Sequence, residues 1–213
     1  MSKKICIAID AMGGENAPYK NIEGISLFCK KNKSSQDYFF NIYGDESKLI
    51  SLIKKNNISE KYFKIFHTAS VVSDNETPLT AVKTSKNSSM WNSVYSQVKT
   101  ESHVTLSAGN TGVLLVISRM ILKTINGVSK PALAGLWPNN NNMSIVLDLG
   151  ANIECNEKNL VDFSLMGSAL HKSLFENEMS KVALLNIGSE ELKGNNIIKS
   201  TYQILNEKKN SLF

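Results

Sequence analysis

The sequence predicts an α/β fold built on a largely parallel sheet with flanking helices. Three observations carry that expectation. Short β-rich apolar runs alternate with segments of helical period along the chain. Several of those runs end in glycine beside Asn, Asp or Ser and pass into a helical pattern, the hand-over of strand to helix in such folds. The chain has 213 residues, 42% hydrophobic and 20% charged, ordinary for a globular protein with one sizeable core. A single domain over residues 1–213 is the expected organisation.

Residues 5–9, Ile-Cys-Ile-Ala-Ile, read as the first strand, and Ile22, Ile25 and Phe28 then share one helix face. Residues 38–43 form the next strand, Leu49, Ile50 and Ile53 a second helix face, and residues 62–66 a third strand. Met90, Trp91, Val94, Tyr95 and Val98 fall at helical spacing and read as core. Residues 103–106 are a strand, and Val113, Val116, Ile117, Met120 and Ile121 make the helix after it. Prolines 131 and 138 bracket Ala-Leu-Ala-Gly-Leu-Trp ahead of the run Asn139 to Asn142, which predicts an antiparallel strand entering a hairpin-like turn. Residues 145–149 and 182–187 are further strands, with a helix bearing Phe163, Met166, Leu170 and Leu174 between them. Residues 196–208 read as a helix and 210–213 as the approach to another strand, so a protein truncated at its C-terminus is expected.

The bulk numbers exclude several classes. Net charge is +5, carried almost wholly by lysine, and Arg119 is the only arginine. That pattern lacks the clustered arginine and aromatics of a nucleic-acid surface, and a solvated basic face explains it. No apolar run reaches the length of a membrane span, and the N-terminal run is too short for a signal peptide. Cys6, Cys29 and Cys155 stand far apart in no metal spacing and read as reduced thiols of a cytoplasmic protein. His67, His103 and His171 have neither metal spacing nor a triad partner, and no Gly-x-Ser-x-Gly elbow, phosphate loop of Walker type or His-x4-Asp motif occurs. A covalent enzyme intermediate, a cofactor and a metal are therefore not called for.

Chemistry gathers at four strand-to-helix junctions. The first is Asp10-Ala-Met-Gly13-Gly14-Glu, where the aspartate can orient a lysine or cap a helix and the glycines free the backbone. The second, Ser107-Ala-Gly109-Asn110-Thr111-Gly112, opens a helix and so forms an anion cradle: helix N-termini favour negative charge, and glycines let a ligand approach bare N–H groups. Asp148 to Asn152 is the third. The fourth runs from Asn186 and Gly188 to Lys193, whose flexible ammonium suits phosphate. Each singly is also a well-made turn; four together suggest a shared polar cleft. Lys83 and Lys86, with Ser88 and Ser89, add cations and hydroxyls near a helix start.

The ordered segments Ile7-Ala-Ile-Asp-Ala-Met-Gly-Gly, Lys86-Asn-Ser-Ser-Met, Ser-Ala-Gly-Asn-Thr-Gly, Lys130-Pro-Ala-Leu-Ala, Leu147-Asp-Leu-Gly-Ala-Asn, Met166-Gly-Ser-Ala and Leu185-Asn-Ile-Gly through Lys193-Gly-Asn give the chain a resemblance. It resembles the bacterial phosphate acyltransferase family of phospholipid synthesis from residue 4 to about residue 208. The resemblance implies a Rossmann-like fold akin to phosphate acetyltransferase and to the isocitrate and isopropylmalate dehydrogenases. It implies reversible formation of acyl phosphate from inorganic phosphate and long-chain acyl-acyl carrier protein. It also implies a cytoplasmic homodimer that supplies a membrane glycerol-3-phosphate acyltransferase, with a peripheral place at the membrane's inner face as a further option. On this reading the cradle, Gly13, Gly14, Asp148, Asn152, Gly188 and Lys83 bind phosphate or substrate, while Lys193, Asn186 and Asp10 are catalytic. Asp10 would orient Lys193 or a neighbour, and Asn152 or Asn186 would meet the oxyanion. Thr84 and Ser85 stand where the family is basic, Ser189 replaces an acidic residue beside Glu190, and a later Asp-Gly-Phe-Thr-Gly-Asn-Val-like segment is absent, so an incomplete cleft is expected. The alternatives are a short-chain phosphate acetyltransferase using coenzyme A, and a non-catalytic remnant or dimerisation module.

Overall fold

A computed structural model describes residues 4–32, 37–140, 142–176, 179–188 and 193–207. The chain divides into two compact units, Met1–Lys123 and Thr124–Phe213.

The first unit is built on four parallel strands, β1 (Ile5–Asp10), β2 (Tyr38–Gly44), β3 (Phe63–His67) and β4 (Val104–Ser107), in the order β3-β2-β1-β4. Alternation along the strands gives the sheet two different faces. Ile7, Ile9, Tyr38, Phe40 and Ile42 meet Ile22 and Ile25 of α1 (Tyr19–Lys31) and Leu49, Leu52 and Ile53 of α2 (Glu46–Lys55) in an aliphatic and aromatic core. Asp45 starts α2 by accepting the N–H groups of Ser47 and Lys48.

The opposite face is polar and close-packed. It carries α4 (Ser89–Val98), whose buried Ser89, Ser93 and Ser96 present almost no bulk to the sheet. Thr105 Oγ1 donates to the Ser93 carbonyl at 2.9 Å and accepts from Gln97 Nε2 at 2.7 Å, so helix and strand are joined by hydrogen bonds rather than by large side chains. Asn41 Nδ2 donates to Ser102 Oγ and the Glu101 carbonyl at the other end of this seam. Outside α4 lie α3 (Pro78–Thr84) and α5 (Thr111–Leu122), which bury Ala81, Val113 and Ile117 against Met90 and Val94.

In the second unit, β5 (Ala134–Pro138) and β6 (Met143–Leu147) form an antiparallel pair in the register Ala134↔Leu147. The Asn139 N–H donates to the Asn142 carbonyl, closing the hairpin the prolines foreshadow. Helix α6 (Glu157–Leu174) lies on β6, with Gly167 leaving room for Leu147, and α7 (Asn196–Glu207) lies on α6. Asn156 and Asn159 close a reciprocal capping box at the start of α6. No helix among the described residues is long and apolar enough to cross a membrane.

Two expectations need correction. Residues 182–187 are not a strand: no neighbouring strand pairs with them among the described residues, and Leu185 and Ile187 are 93% and 86% exposed. An apolar run becomes a strand only when another strand takes its backbone groups. The strand expected at 145–149 ends earlier, at Leu147, because Asp148 takes a left-handed backbone (φ 63°). Residues 210–213, expected to approach a strand, lie outside the described residues, as do Ser189 and Glu190.

Ile42 is fully buried on the central part of the sheet. Ile42→Ala is expected to lower the unfolding free energy by about 2–5 kcal/mol, read as a reduced urea midpoint followed by circular dichroism.

Candidate functional site

The carboxyl ends of β1 and β4 bring two of the expected junctions together, since Asp10 and Ser107 are register partners. Ligand sites in parallel α/β sheets form at such ends. Here the loop after β1 and the loop after β4 pack backbone against backbone. A Cβ on Gly13 would sit 2.5 Å from Asp10 Oδ2, 3.0 Å from Gly109 N and 3.1 Å from Gly109 Cα. A Cβ on Gly109 would strike Met90 Cε at 2.9 Å. Gly13 is therefore required by the approach of the loops and by Asp10 beneath it, a constraint independent of any ligand, whereas Gly109 meets first the end of the Met90 side chain and then the Gly13 backbone at 3.2 Å.

Beneath the loops lies Asp10, only 1% exposed. Its Oδ2 accepts from Ser107 Oγ at 2.7 Å, and Ser107 Oγ in turn accepts the Gly109 N–H at 3.1 Å. The carboxylate thus sets a hydroxyl, and the hydroxyl sets the cradle backbone. Ser89 Oγ lies near enough to act on the carboxyl, yet neither it nor Asp10 Oδ1 completes a hydrogen bond of good geometry among the described residues. Burial pushes the Asp10 carboxyl above its ordinary value, opposed by the Ser89 and Ser107 hydroxyls and the Met12 and Gly13 backbones. Among the described residues the hydrogen-bond partner of the Asp10 carboxylate is the Ser107 hydroxyl, on the serine-lined face of the sheet.

Asn110 caps α5, its Oδ1 accepting the Val113 N–H at 3.1 Å. Its Nδ2 donates to the carbonyls of Asp74 at 2.9 Å and Glu76 at 3.0 Å, tying the loop ahead of α3 to the cradle. That side chain is fully engaged within the protein. What the cradle offers an anion is backbone: the first-turn N–H groups of α5, at Thr111 and Gly112, which have no partner inside the helix. Lys83 is exposed in the last turn of α3.

Sequence reasoning passed over Asn21, whose Nδ2 donates to the carbonyls of Ala11 and Gly13 and stakes down the first loop. An asparagine on a helix face carries no such signal before the fold is known.

The second unit holds the other expected residues. Asp148 Oδ1 accepts from Asn152 N and Nδ2 at 3.1 and 2.8 Å, and Asp148 Oδ2 accepts from Cys155 Sγ. Asn152 Nδ2 also donates to the Pro131 carbonyl at 2.9 Å. Burial, then the Asp148 carboxylate, raises the Cys155 thiol pKa. Asn186 and Lys193 are brought together, with Asn186 Nδ2 donating to the Lys193 carbonyl at 3.2 Å. Gly194, at φ 89°, lies against the Asn186 amide, where a Cβ would come within 2.4 Å of Oδ1. Gly188 is half-buried and the Lys193 residue is exposed.

Residues 5–213 match the family described as "Fatty acid synthesis protein". The chain belongs to this family. It is 53% identical over 213 residues to the phosphate acyltransferase of Pelagibacter ubique (strain HTCC1062), a match covering 100% of this chain and 62% of that protein. It is 37% identical over 199 residues to the phosphate acyltransferase of Maricaulis maris (strain MCS10), covering 93% of this chain and 56% of the relative. The chain thus spans less than two thirds of the length of these curated relatives. Among solved structures, a phosphotransacetylase from Streptococcus pyogenes aligns with a TM-score of 0.66 at 13% identity, and the EutD phosphotransacetylase from Staphylococcus aureus with 0.61 at 18%. Each alignment covers 98% of this chain and 66% of the other. At those identities the likeness is one of fold, and it agrees with the Rossmann-like expectation.

The raised Asp10 carboxyl has a consequence for stability. Its proton is held more tightly folded than unfolded, so its contribution is full below the usual carboxylate range and is lost as pH rises through the raised value. Asp10→Asn removes that dependence. The urea midpoint of the variant is expected to gain on that of the parent as pH is raised from about 4 to about 7.

Proposed function

We propose that the chain takes part in forming acyl phosphate from inorganic phosphate and a long-chain acyl-acyl carrier protein. The observation that carries this reading is the backbone cradle over the Asp10–Ser107 pair, in a chain 53% identical to a relative named phosphate acyltransferase. In the step, a phosphate oxygen attacks the thioester carbonyl, a C–O bond forms, and the C–S bond then breaks. The electron pair leaves with sulfur, which takes a proton from solvent to give the carrier thiol.

The protein's part is to position and to neutralise. The Thr111 and Gly112 N–H groups hold phosphate oxygens, while Asp10 acts through Ser107 as a positioning residue. Gly14 and Ser107 keep the two loops in register for this. Lys193 is assigned as the reaction's cation and Asn186 as the residue that fixes its backbone, and Asn152 holds Asp148 in its turn. Lys83 adds positive charge near the cradle's tied-down loop. The working form is a cytoplasmic homodimer whose product is consumed by a membrane glycerol-3-phosphate acyltransferase.

The phosphotransacetylase fold supports a second reading, in which the donor is a short-chain acyl-coenzyme A. A hydroxylamine trap for acyl phosphate separates the possibilities, run with palmitoyl-acyl carrier protein or acetyl-coenzyme A as donor. The expected result is phosphate-dependent product from the carrier-protein donor, falling by on the order of 10²-fold in Lys193→Ala. Product from acetyl-coenzyme A alone favours the second reading. Absence of product from a folded chain marks a non-catalytic form.

A further inference from the structure

Beneath the cradle, two buried polar atoms lack a hydrogen-bond partner among the described residues, and they belong to neighbouring side chains. Asp10 gives Oδ2 to Ser107, which leaves Oδ1 over, and the second atom is the Ser89 hydroxyl. Each residue is 1% exposed, so bulk water serves neither. In a dry interior an unmade bond is costly to both groups, and a hydroxyl and a carboxylate oxygen are complementary.

The backbone puts Ser89 in this place as the first residue of α4. Its N–H donates to the Ser70 carbonyl at 3.1 Å, and Ser70 and Ser88 form a parallel bridge. The Ser88 hydroxyl is spent on the helix cap, accepting the Trp91 N–H at 3.1 Å. Met90, the next residue, carries its Cε up to Gly109, where it is the first atom that a Cβ would meet. Ser89 is therefore held under the cradle loop, at the head of a chain that runs through Asp10 and Ser107 to the Gly109 N–H.

We propose that Ser89 is a positioning residue for the anion site, its Oγ donating to Asp10 Oδ1 and so fixing the carboxylate that sets Ser107 and the cradle backbone. The proposal rests on the acyl phosphate reading and adds to it a residue that never touches phosphate. A small turn of the side chain completes the bond. A carboxylate held at both oxygens has one orientation, whereas one held at a single oxygen can pivot and take Ser107 with it. The same bond favours the charged form of Asp10. Burial is the largest influence on that carboxyl and raises it, and Ser89 comes first among the groups that oppose burial. No charged side chain of the described residues is among those influences. The ionisable groups on the surrounding elements are Tyr43, the register partner on β2, exposed Lys86 in the turn before α4, and exposed Lys20 of α1, which pairs with Glu23 at 3.0 Å.

The test compares the 213-residue protein with Ser89→Ala, and with Ser96→Ala as a control at another buried serine of α4. Alanine is the better helix former, so both variants are expected to fold. Calorimetry with inorganic phosphate should show Ser89→Ala binding roughly five- to tenfold more weakly than the parent, the loss of one charge-assisted bond acting through a partner. Ser96→Ala should stay within about twofold of the parent. The second readout is the urea midpoint against pH. In the parent it falls as pH rises through the raised Asp10 value, and in Ser89→Ala the fall should continue to higher pH. Asp10→Asn, with or without Ser89→Ala, should give one common profile, because the titrating group is gone. A Ser89→Ala profile that coincides with the parent's overturns the proposal. So does phosphate affinity in Ser89→Ala no weaker than in Ser96→Ala. A shifted profile in a protein that binds no phosphate upholds the Asp10–Ser89 bond and sinks the phosphate-cradle reading instead.

Discussion

The first unit's candidate site depends on one close approach, that of the loop after β1 to the loop after β4. Gly13 and Gly109 meet with no room for a Cβ on either. Everything the cradle presents follows from that contact. It fixes the start of α5, so that Asn110 can cap the helix and hold the Asp74–Glu76 loop at the same time. It also closes the roof over Asp10, leaving the carboxylate almost without solvent. Bulk at Gly14 would displace the Ala108 backbone, which has no rotamer with which to yield, whereas bulk at Gly109 first meets the flexible end of Met90.

Burying Asp10 works against stability, since a carboxylate taken out of water with one unfilled oxygen is unfavourable. The fold offsets part of that cost through Ser107 and Ser89. Those hydroxyls belong to a sheet face lined by serine, threonine and asparagine, where α4 comes close because its inward side chains are small. One sheet therefore has an apolar face that stabilises the unit and a polar face that supports the loops at its edge. A desolvated carboxylate at one edge of the sheet is thus offset by an apolar core on its other face.

The second unit is organised on a smaller scale. Its polar residues bind one another within short stretches of chain: Asp148 with Asn152 and Cys155, Asn186 with the Lys193 backbone, Asn156 with Asn159. Each knot sets the shape of one turn. Helix α6 lies against the β5–β6 hairpin through β6, and α7 against α6, so local hydrogen bonding carries much of the definition that a wide sheet carries in the first unit.

The sequence alone determined the α/β class, the order of the strands through β6, and the hairpin at the asparagine run, though it passed over α3. Those features are local: alternation in residues 5–9, the 3.6-residue spacing of Met90, Val94 and Val98, and prolines 131 and 138 each act over a few residues. It also marked Asp10, Ser107 and the glycines, because strand ends followed by Gly and a polar residue leave a readable pattern. Only the tertiary structure decided what those residues do. It gave Asp10 a serine partner 97 positions away, committed the Asn110 amide to backbone carbonyls, enlisted Asn21, and left residues 182–187 without a pairing strand among the described residues. The physical reason is that a periodic pattern says which face a side chain takes, whereas its partner is set by segments that meet only after the sheet has formed.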